Sequence, residues 1–167
     1  NNVSFNTMIN VYAQSSSSED YRQQLDECLA ILREMATDGI RPDYRTFTTL
    51  INFCAKGGLV KEARCFLREM KRHSIRPNIV TYSTLLKVCA KAGDLAAGKE
   101  VWKEMKDDGI RRNEVGFRAM MKVYAQDSSP EDCRQRLDDC LALLREMETE
   151  GVRPNRSEER RVGKECR

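Results

Sequence analysis

The sequence lacks several features that would mark a membrane protein or an enzyme. No apolar run approaches the roughly 20 residues that a membrane-spanning helix needs. There is one histidine, His73, and there is no CxxC pair, no paired metal-ligand spacing and no Gly-rich phosphate loop. The sequence therefore gives no support for a histidine-activated nucleophile, and none for a zinc centre. We expect no catalysis, no cofactor and no metal ion.

A strong charge of one sign is also absent. The chain has 29 basic and 26 acidic residues, a formal net charge of +3. Residues 156–167 contain five of the basic and three of the acidic residues, so the remainder carries 24 against 23, a net charge of about +1. The overall charge does not predict nucleic-acid binding, and any such interface must be argued from individual positions.

The two ends of the chain look unlike the rest. The segment 156–167 has no apolar periodicity, and its sequence, RSEERRVGKECR, resembles the translation of a common sequencing-library adapter. We interpret it as a non-native tail and leave it out of the fold prediction. The chain begins with Asn1 and not with Met, and it shows no signal-peptide pattern. We expect a fragment of a longer protein whose targeting segment is not included.

The seven cysteines mostly lie within apolar helical patterns, as Cys54 and Cys89 do. Without a CxxC pair, this placement favours reduced, buried thiols in an intracellular compartment over a disulfide framework or a zinc site.

Internal repetition is the main positive signal. Segment 1–43 recurs as 113–155, with 27 of 43 aligned positions identical. Between them lie two units of 35 residues, 44–78 and 79–113, each ending in a close variant of G-I-R-P-N. A period of this length predicts a solenoid, because each unit can bury its apolar face only against a neighbour. The predicted units are 2–43, 44–78, 79–113 and 114–155.

Each unit has the pattern of two helices. In unit 79–113, one apolar stripe runs through Tyr82, Leu85, Leu86 and Cys89, and a second runs through Leu95, Gly98, Val101, Trp102 and Met105. Gly93 and Asp94 form a helix stop and a new N-cap between them. The sequence therefore predicts an all-α solenoid of about four helix-turn-helix repeats.

A turn closes every unit, with glycine at positions 39, 109 and 151 and Ser74 in the second unit. Proline usually follows three residues later, and it cannot continue a helix. Arg112 replaces this proline in the third unit, so we expect a less rigid turn there.

The first and fourth units have 42 residues, seven more than the others, with the additions at 15–21 and 127–133. Seven residues make about two helical turns, which preserves the apolar register. We predict a longer second helix in these units, preceded by a loop at 15–18 in the first and by an N-cap at Ser129 in the fourth. The predicted apolar stripe of the last helix is Leu137, Cys140, Leu141, Leu144 and Met147.

Several short sequence motifs recur at equivalent positions of successive units. Unit 79–113 contains V-T-Y-S-T-L-L at 80–86, A-K-A-G at 90–93, K-E-M at 103–105 and G-I at 109–110. These motifs closely resemble the pentatricopeptide repeat, and the likeness extends over residues 2–155. The tetratricopeptide repeat has a 34-residue period and a different signature, which does not align. The resemblance implies a right-handed superhelix that binds single-stranded RNA at about one base per unit.

The resemblance also implies a role for particular positions. The fifth and last residues of each unit would hydrogen-bond one base edge. These pairs are Asn6 with Asp43, Thr48 with Asn78, Ser83 with Asn113, and Arg118 with Asn155. By the family's code they imply U, A, A and an unassigned base. Arg118 departs from the pattern, because it is long and always charged; it recruits a phosphate or marks a unit that reads no base.

Two further sets of positions follow from the resemblance. The second residue of each unit would wedge between bases; these residues are Val3, Arg45, Val80 and Val115. Arg45 would stack its guanidinium on a base. Lys56 and Lys91, at the ends of two first helices, would face the RNA backbone, which suggests a modest salt dependence.

Two readings of this chain remain open. The first is a sequence-selective RNA-binding module of a mitochondrial or plastid protein, acting in RNA processing, stability, splicing or translation. The second is a scaffold that binds protein partners, in which Asn6, Thr48 and Ser83 are ordinary exposed positions. In either case, apolar surface near Met8 and Leu144 is expected to promote association.

Overall fold

The computed structural model describes residues 2–14, 21–126 and 133–152. These ranges form eight helices and contain no strand. In chain order they are α1 (Asn2–Gln14), α2 (Tyr21–Thr37), α3 (Tyr44–Gly57), α4 (Val60–Arg72), α5 (Ile79–Ala92), α6 (Leu95–Asp107), α7 (Glu114–Gln126) and α8 (Cys133–Thr149). In the described ranges no helix is long and apolar enough to span a membrane.

The helices fall in pairs within the predicted unit ranges. The second helices of the two long units, α2 and α8, have 17 residues each, whereas α4 and α6 have 13. The longer second helices predicted for these units are therefore present. The loop predicted at 15–18 and the N-cap predicted at Ser129 lie outside the described residues.

Local sequence explains where the helices of the third unit begin and end. Gly93 ends α5 in the left-handed conformation, with φ of 65°, which glycine adopts without steric cost. Asp94 follows immediately and accepts a hydrogen bond from the backbone N–H of Ala97 at 2.9 Å, which caps α6. The predicted stop and restart are confirmed at these two residues.

Repeated positions supply the core. Phe47, Tyr82 and Phe117 occupy the fourth position of successive units, and all three are buried. Near the end of each second helix a methionine is fully buried; these methionines are Met35, Met70, Met105 and Met147. The core is continuous from hairpin to hairpin, because α1, α3, α5 and α7 pack against one another in series. This all-α repeat solenoid confirms the predicted fold class.

One predicted core position is wrong. Leu141 is 39% exposed, whereas Leu143 is buried together with Cys140 and Met147. The buried residues of α8 are spaced three and four apart, which keeps them on one helical face. Leu141 lies about 100° around the helix from Cys140. The run L-A-L-L at 141–144 in α8 offers two nearly equivalent stripes, and packing against α7 selects the one through Leu143.

The turns that close the hairpins have left-handed backbone geometry, as the glycines predicted. Gly39, Gly109 and Gly151 have φ between 66° and 72°, and Ser74 has φ of 59° at the equivalent point. In the described ranges Ser74 is the one non-glycine residue with positive φ. The turns at Gly39, Ser74 and Gly109 each carry the chain from a second helix to the next first helix, and so place the last residue of one unit at the start of the following helix.

Candidate nucleic-acid interface

The second residues of the units form a row of exposed side chains on the first helices. Val3, Val80 and Val115 are 71%, 54% and 49% exposed, and Arg45 is exposed at the equivalent position of α3. Val88 of α5 and Val123 of α7 are fully buried, whereas Val11 of α1 is 61% exposed. The exposed valines offer β-branched apolar surface on which the flat face of a base can pack.

In the first unit the fifth and last residues are in direct contact. The Asn6 side-chain amide donates to Asp43 Oδ1 at 3.2 Å, although 37 positions separate the two residues. The Thr46 hydroxyl donates to Asn6 Oδ1 at 2.6 Å. The packing of α1 against α3 thus brings together two residues that the sequence paired only through resemblance.

In the second unit a tyrosine links the two predicted positions. The Thr48 hydroxyl donates to the Tyr44 carbonyl at 2.9 Å, one helical turn earlier. The Tyr44 hydroxyl donates to Asn78 Oδ1 at 2.8 Å. Sequence reasoning missed Tyr44; the one available signal was an aromatic residue at the first position of a unit. Asn78 therefore lies beside the first turn of the helix that carries Thr48.

In the third unit the two predicted residues differ in accessibility. Ser83 is 3% exposed, and its hydroxyl donates to the Val80 carbonyl at 3.0 Å. Asn113 is exposed, and its Oδ1 accepts from the backbone N–H of Gly116 at 3.1 Å. None of the three fifth-position residues Asn6, Thr48 and Ser83 is an ordinary exposed side chain, since the first two are half-buried.

The last residues of three units also cap the next first helix. Asp43 and Asn78 form capping boxes with Thr46 and Thr81. In each box the side chain of one residue accepts a hydrogen bond from the backbone N–H of the other. Asn78 Oδ1 accepts from the backbone N–H groups of Val80 and Thr81 at 2.9 and 3.2 Å. These donors orient the carbonyl oxygen toward the helix. The Nδ2 group of Asn78 then points away from the cap and has no acceptor among the described residues.

Asp43 presents a carboxylate and not an amide. Burial alone would raise the pKa of Asp43, but hydrogen bonds from Thr46 and Asn6 outweigh burial and lower it below its ordinary value. The carboxylate is therefore ionised at neutral pH and acts as an acceptor. The first unit differs in this respect from the second and third, whose last residues carry an amide donor.

The remaining predicted residues are those of the fourth unit and the two lysines proposed to face the RNA backbone. Arg118 is 47% exposed and forms an ion pair with Glu114, one turn earlier on α7, which partly neutralises its charge. Its predicted partner Asn155 lies outside the described residues. Lys56 and Lys91 are exposed in the last turns of α3 and α5, at equivalent points of two units.

Family models match this architecture over most of the chain. A model described as pentatricopeptide repeat domain matches residues 30–92 and 65–127, and one described as PPR repeat family matches residues 1–56. The chain belongs to the pentatricopeptide-repeat family. No curated protein sequence matches it closely enough to count as a relative.

Solved structures of pentatricopeptide-repeat proteins share the fold. The maize protein PPR10 is 22% identical, with a TM-score of 0.81 over 99% of this chain and 22% of its own length. PPR10 in complex with an 18-nt psaJ RNA element gives a TM-score of 0.73. The PPR domain of Arabidopsis thaliana protein-only RNase P 1, in complex with tRNA, is 19% identical, with a TM-score of 0.74 over 98% of this chain and 79% of its own. The chain spans about a fifth of the maize protein.

Proposed function

We propose that this chain binds single-stranded RNA, with about one base opposite each unit along the face of the first helices. The observation that carries the proposal is the hydrogen bond between Asn6 and Asp43, which joins a fifth and a last residue at a unit boundary. The exposed row of Val3, Val80 and Val115 supports it, because apolar side chains at a constant register can separate stacked bases. The solved complexes of PPR10 and of the RNase P domain with RNA support it as well.

The chemistry of the second and third units favours adenine. The capped carboxamides of Asn78 and Asn113 leave an N–H donor outside the cap, and the Thr48 and Ser83 hydroxyls, which donate to their own helix, keep an acceptor lone pair. Adenine offers the complementary acceptor at N1 and donor at N6. Guanine offers a donor at N1 and an acceptor at O6, which would oppose like groups and leave them unpaired.

The first unit favours uracil by the same reasoning. The ionised Asp43 carboxylate accepts hydrogen bonds, and the N3–H group of uracil donates one. The fourth unit has the Arg118–Glu114 ion pair at its fifth position, and we assign it no base. The proposed core sequence is therefore 5′-U-A-A-N-3′, in which the units follow the RNA from its 5′ side.

The cellular role follows the family resemblance. We propose a non-catalytic RNA-binding segment of a longer protein that acts in mitochondria or plastids, in RNA processing, stability, splicing or translation. Four units address about four bases, and 256 sequences of that length exist, so this segment by itself would not select a single transcript.

The test is fluorescence anisotropy of the chain at low salt with short labelled RNAs that contain UAAN, compared with RNAs that carry G or C in place of either A. We expect weaker binding after each replacement. In Asn78→Asp an acceptor replaces the donor, and the preference opposite the second unit should move from A toward G while the third unit keeps its preference. Equal affinity for all RNAs would exclude base reading and favour the protein scaffold.

A further inference from the structure

The backbone at Asn113 is restrained by fewer nearby residues than the backbone at Asp43 and at Asn78, the last residues of the first two units. Pro42 precedes Asp43, and Pro77 precedes Asn78, which restricts the backbone on entry to the cap. Arg112 precedes Asn113. The capping boxes of Asp43 and Asn78 each use a threonine hydroxyl three residues later, at 3.2 and 3.4 Å from the capping backbone N–H. Gly116 stands at that position after Asn113 and has no side chain to offer.

The Arg112 side chain is anchored by contacts outside the turn. It is 4% exposed, and its guanidinium lies over the Trp102 ring, 4.5 Å from the ring centroid. It forms an ion pair with Glu146 and lies 3.5 Å from Glu150 Oε1. The Trp102 indole N–H donates to Glu146 Oε2 at 3.3 Å. A residue next to Asn113 is thus held between α6 of its own unit and α8 of the next.

The three departures lie together at the junction of the third and fourth units. Trp102 occupies the position of Leu32 and Leu67 in the preceding units. A Cβ atom added to Gly116 would be in van der Waals contact with Trp102, 3.5 Å from Cζ3, so this position borders the tryptophan ring. The same ring carries Arg112 on its face. At the preceding junction the equivalent residues are Leu67, Pro77 and Thr81.

The acidic partners also occur at the preceding junction, but there they hold a different cation. Glu104 and Asp108, the positions equivalent to Glu146 and Glu150, both pair with Lys71 at 2.7 Å. Lys71 lies in the last turn of α4, seven residues before Asn78. Removing the Lys71 side chain would weaken the junction between the second and third units. Lys71 is not adjacent in sequence to the last residue of a unit, as Arg112 is. It is the natural control for Arg112.

We propose that Arg112 is a positioning residue for Asn113, so that base selection by the third unit depends on the junction with the fourth. This inference rests on the proposed RNA-reading function. The buried guanidinium holds the backbone that enters α7, and through it the Asn113 carboxamide, in the orientation that the Pro and Thr of the other units give locally. Lysine cannot replace it, because an ammonium group has no planar face to stack on Trp102.

The experiment measures base preference at two positions in the same protein. Arg112→Ala and Arg112→Lys are compared with wild type and with Lys71→Ala, using RNAs that carry A or G opposite the second or the third unit. We expect Arg112→Ala and Arg112→Lys to reduce the preference for A opposite the third unit by about fivefold, with less than about a twofold change opposite the second. Lys71→Ala should leave the third-unit preference unchanged.

A second readout does not need RNA. The Gly116 amide donates to Asn113 Oδ1, so its hydrogen exchange should accelerate in Arg112→Ala, whereas the equivalent Thr81 amide should exchange as in wild type. The triple variant Trp102→Leu, Arg112→Pro, Gly116→Thr reproduces the residues of the junction between the second and third units. It should be folded by circular dichroism and should recover the third-unit preference, which separates positioning from loss of fold.

The outcomes are distinguishable. If wild type prefers A at both positions and Arg112→Ala or Arg112→Lys keeps that preference, the inference is overturned and the proposed function stands. The same holds if Lys71→Ala causes an equal loss at the third unit, or if the folded triple variant fails to recover it. If wild type shows no base preference at either position, the proposed function fails and the inference fails with it.

Discussion

Val123 lies directly against Gly98, so closely that a Cβ atom on residue 98 would be 2.6 Å from Val123 Cγ1. Gly98 is inside α6 and Val123 is fully buried on α7 of the next unit. The absence of a side chain at Gly98 therefore sets how closely the third and fourth hairpins approach. In an isolated helix, alanine would be the better residue at this position by about 1 kcal/mol.

Gly98→Ala should destabilise the protein despite the higher helix propensity of alanine. Valine is stiff about its first side-chain torsion, so the new methyl group must displace a helix, at a cost of about 1–3 kcal/mol. Chemical denaturation followed by circular dichroism measures the change. The double variant Gly98→Ala, Val123→Ala should be less than additive, because the smaller residue at 123 removes the clash. An unchanged or raised stability in Gly98→Ala would contradict this contact.

Asp43→Ala should lower stability by about 1 kcal/mol, because α3 loses its N-terminal cap. Asp43→Asn keeps an acceptor for the Thr46 backbone N–H and should cost less. Denaturant titrations of the two variants and of wild type provide the comparison. The asparagine variant should also change the preferred base opposite the first unit, since an amide donor replaces an acceptor. Equal stability of Asp43→Ala and wild type would show that the cap contributes nothing measurable.

Acidification should destabilise the protein through two aspartates. Burial alone would raise the pKa of Asp108, but hydrogen bonds from Lys71 and Tyr82 outweigh it and lower the pKa below its ordinary value of 3.8. The pKa of Asp43 is lowered in the same sense. A lowered folded-state pKa gives stability that is fully present above about pH 4 and is lost as the pH falls through the folded-state value.

The measurement for this pH dependence is the melting temperature between pH 6 and pH 2.5. Asp108→Asn should show a shallower decline than wild type, because one of the titrating groups is removed. Glu148→Gln provides a matched control, since Glu148 is an exposed carboxylate on α8. If the melting temperature of Asp108→Asn declined as steeply as that of wild type, Asp108 would not contribute to the loss of stability in acid.

The outer face of α1 should make the chain associate at high concentration. Met8 and Val11 are 44% and 61% exposed, whereas their equivalents in the fourth unit, Met120 and Val123, are buried against the third hairpin. Sedimentation velocity at several concentrations should show association that Val11→Lys reduces. Val80→Ser removes an exposed valine from the proposed RNA face and should leave association unchanged. Purely monomeric behaviour at high concentration would contradict the prediction.

RNA affinity should depend only modestly on salt. Lys56 and Lys91 are the proposed backbone contacts, and each phosphate neutralised on a single strand contributes about −0.7 to the slope of log K against log salt. Lys56→Gln and Lys91→Gln should each reduce the slope by about that amount while preserving base preference. Lys103→Gln, on the second helix α6, is the matched control. A larger effect from Lys103→Gln would place the RNA backbone on the other face.

The sequence by itself determined the repeating hairpins. Apolar residues at helical spacing, the Gly93–Asp94 stop and restart, and the closing glycines encode local geometry, which depends on nearby residues and so can be predicted from them. The exposed register of Val80 also follows from its place in the unit. Where two apolar stripes were nearly equivalent, as in α8, the pattern did not distinguish Leu141 from Leu143.

Only the tertiary structure decided which distant residues meet. The hydrogen bond of Asn6 with Asp43 joins side chains 37 positions apart, and the bond of Tyr44 with Asn78 joins side chains 34 positions apart, so each depends on how one hairpin stacks on the next. The sequence identified Arg112 only as a missing proline, but neighbouring helices bury its guanidinium between Trp102 and Glu146. Helical periodicity specifies the face on which a residue lies, while the partner across an interface is set by the packing of the whole stack.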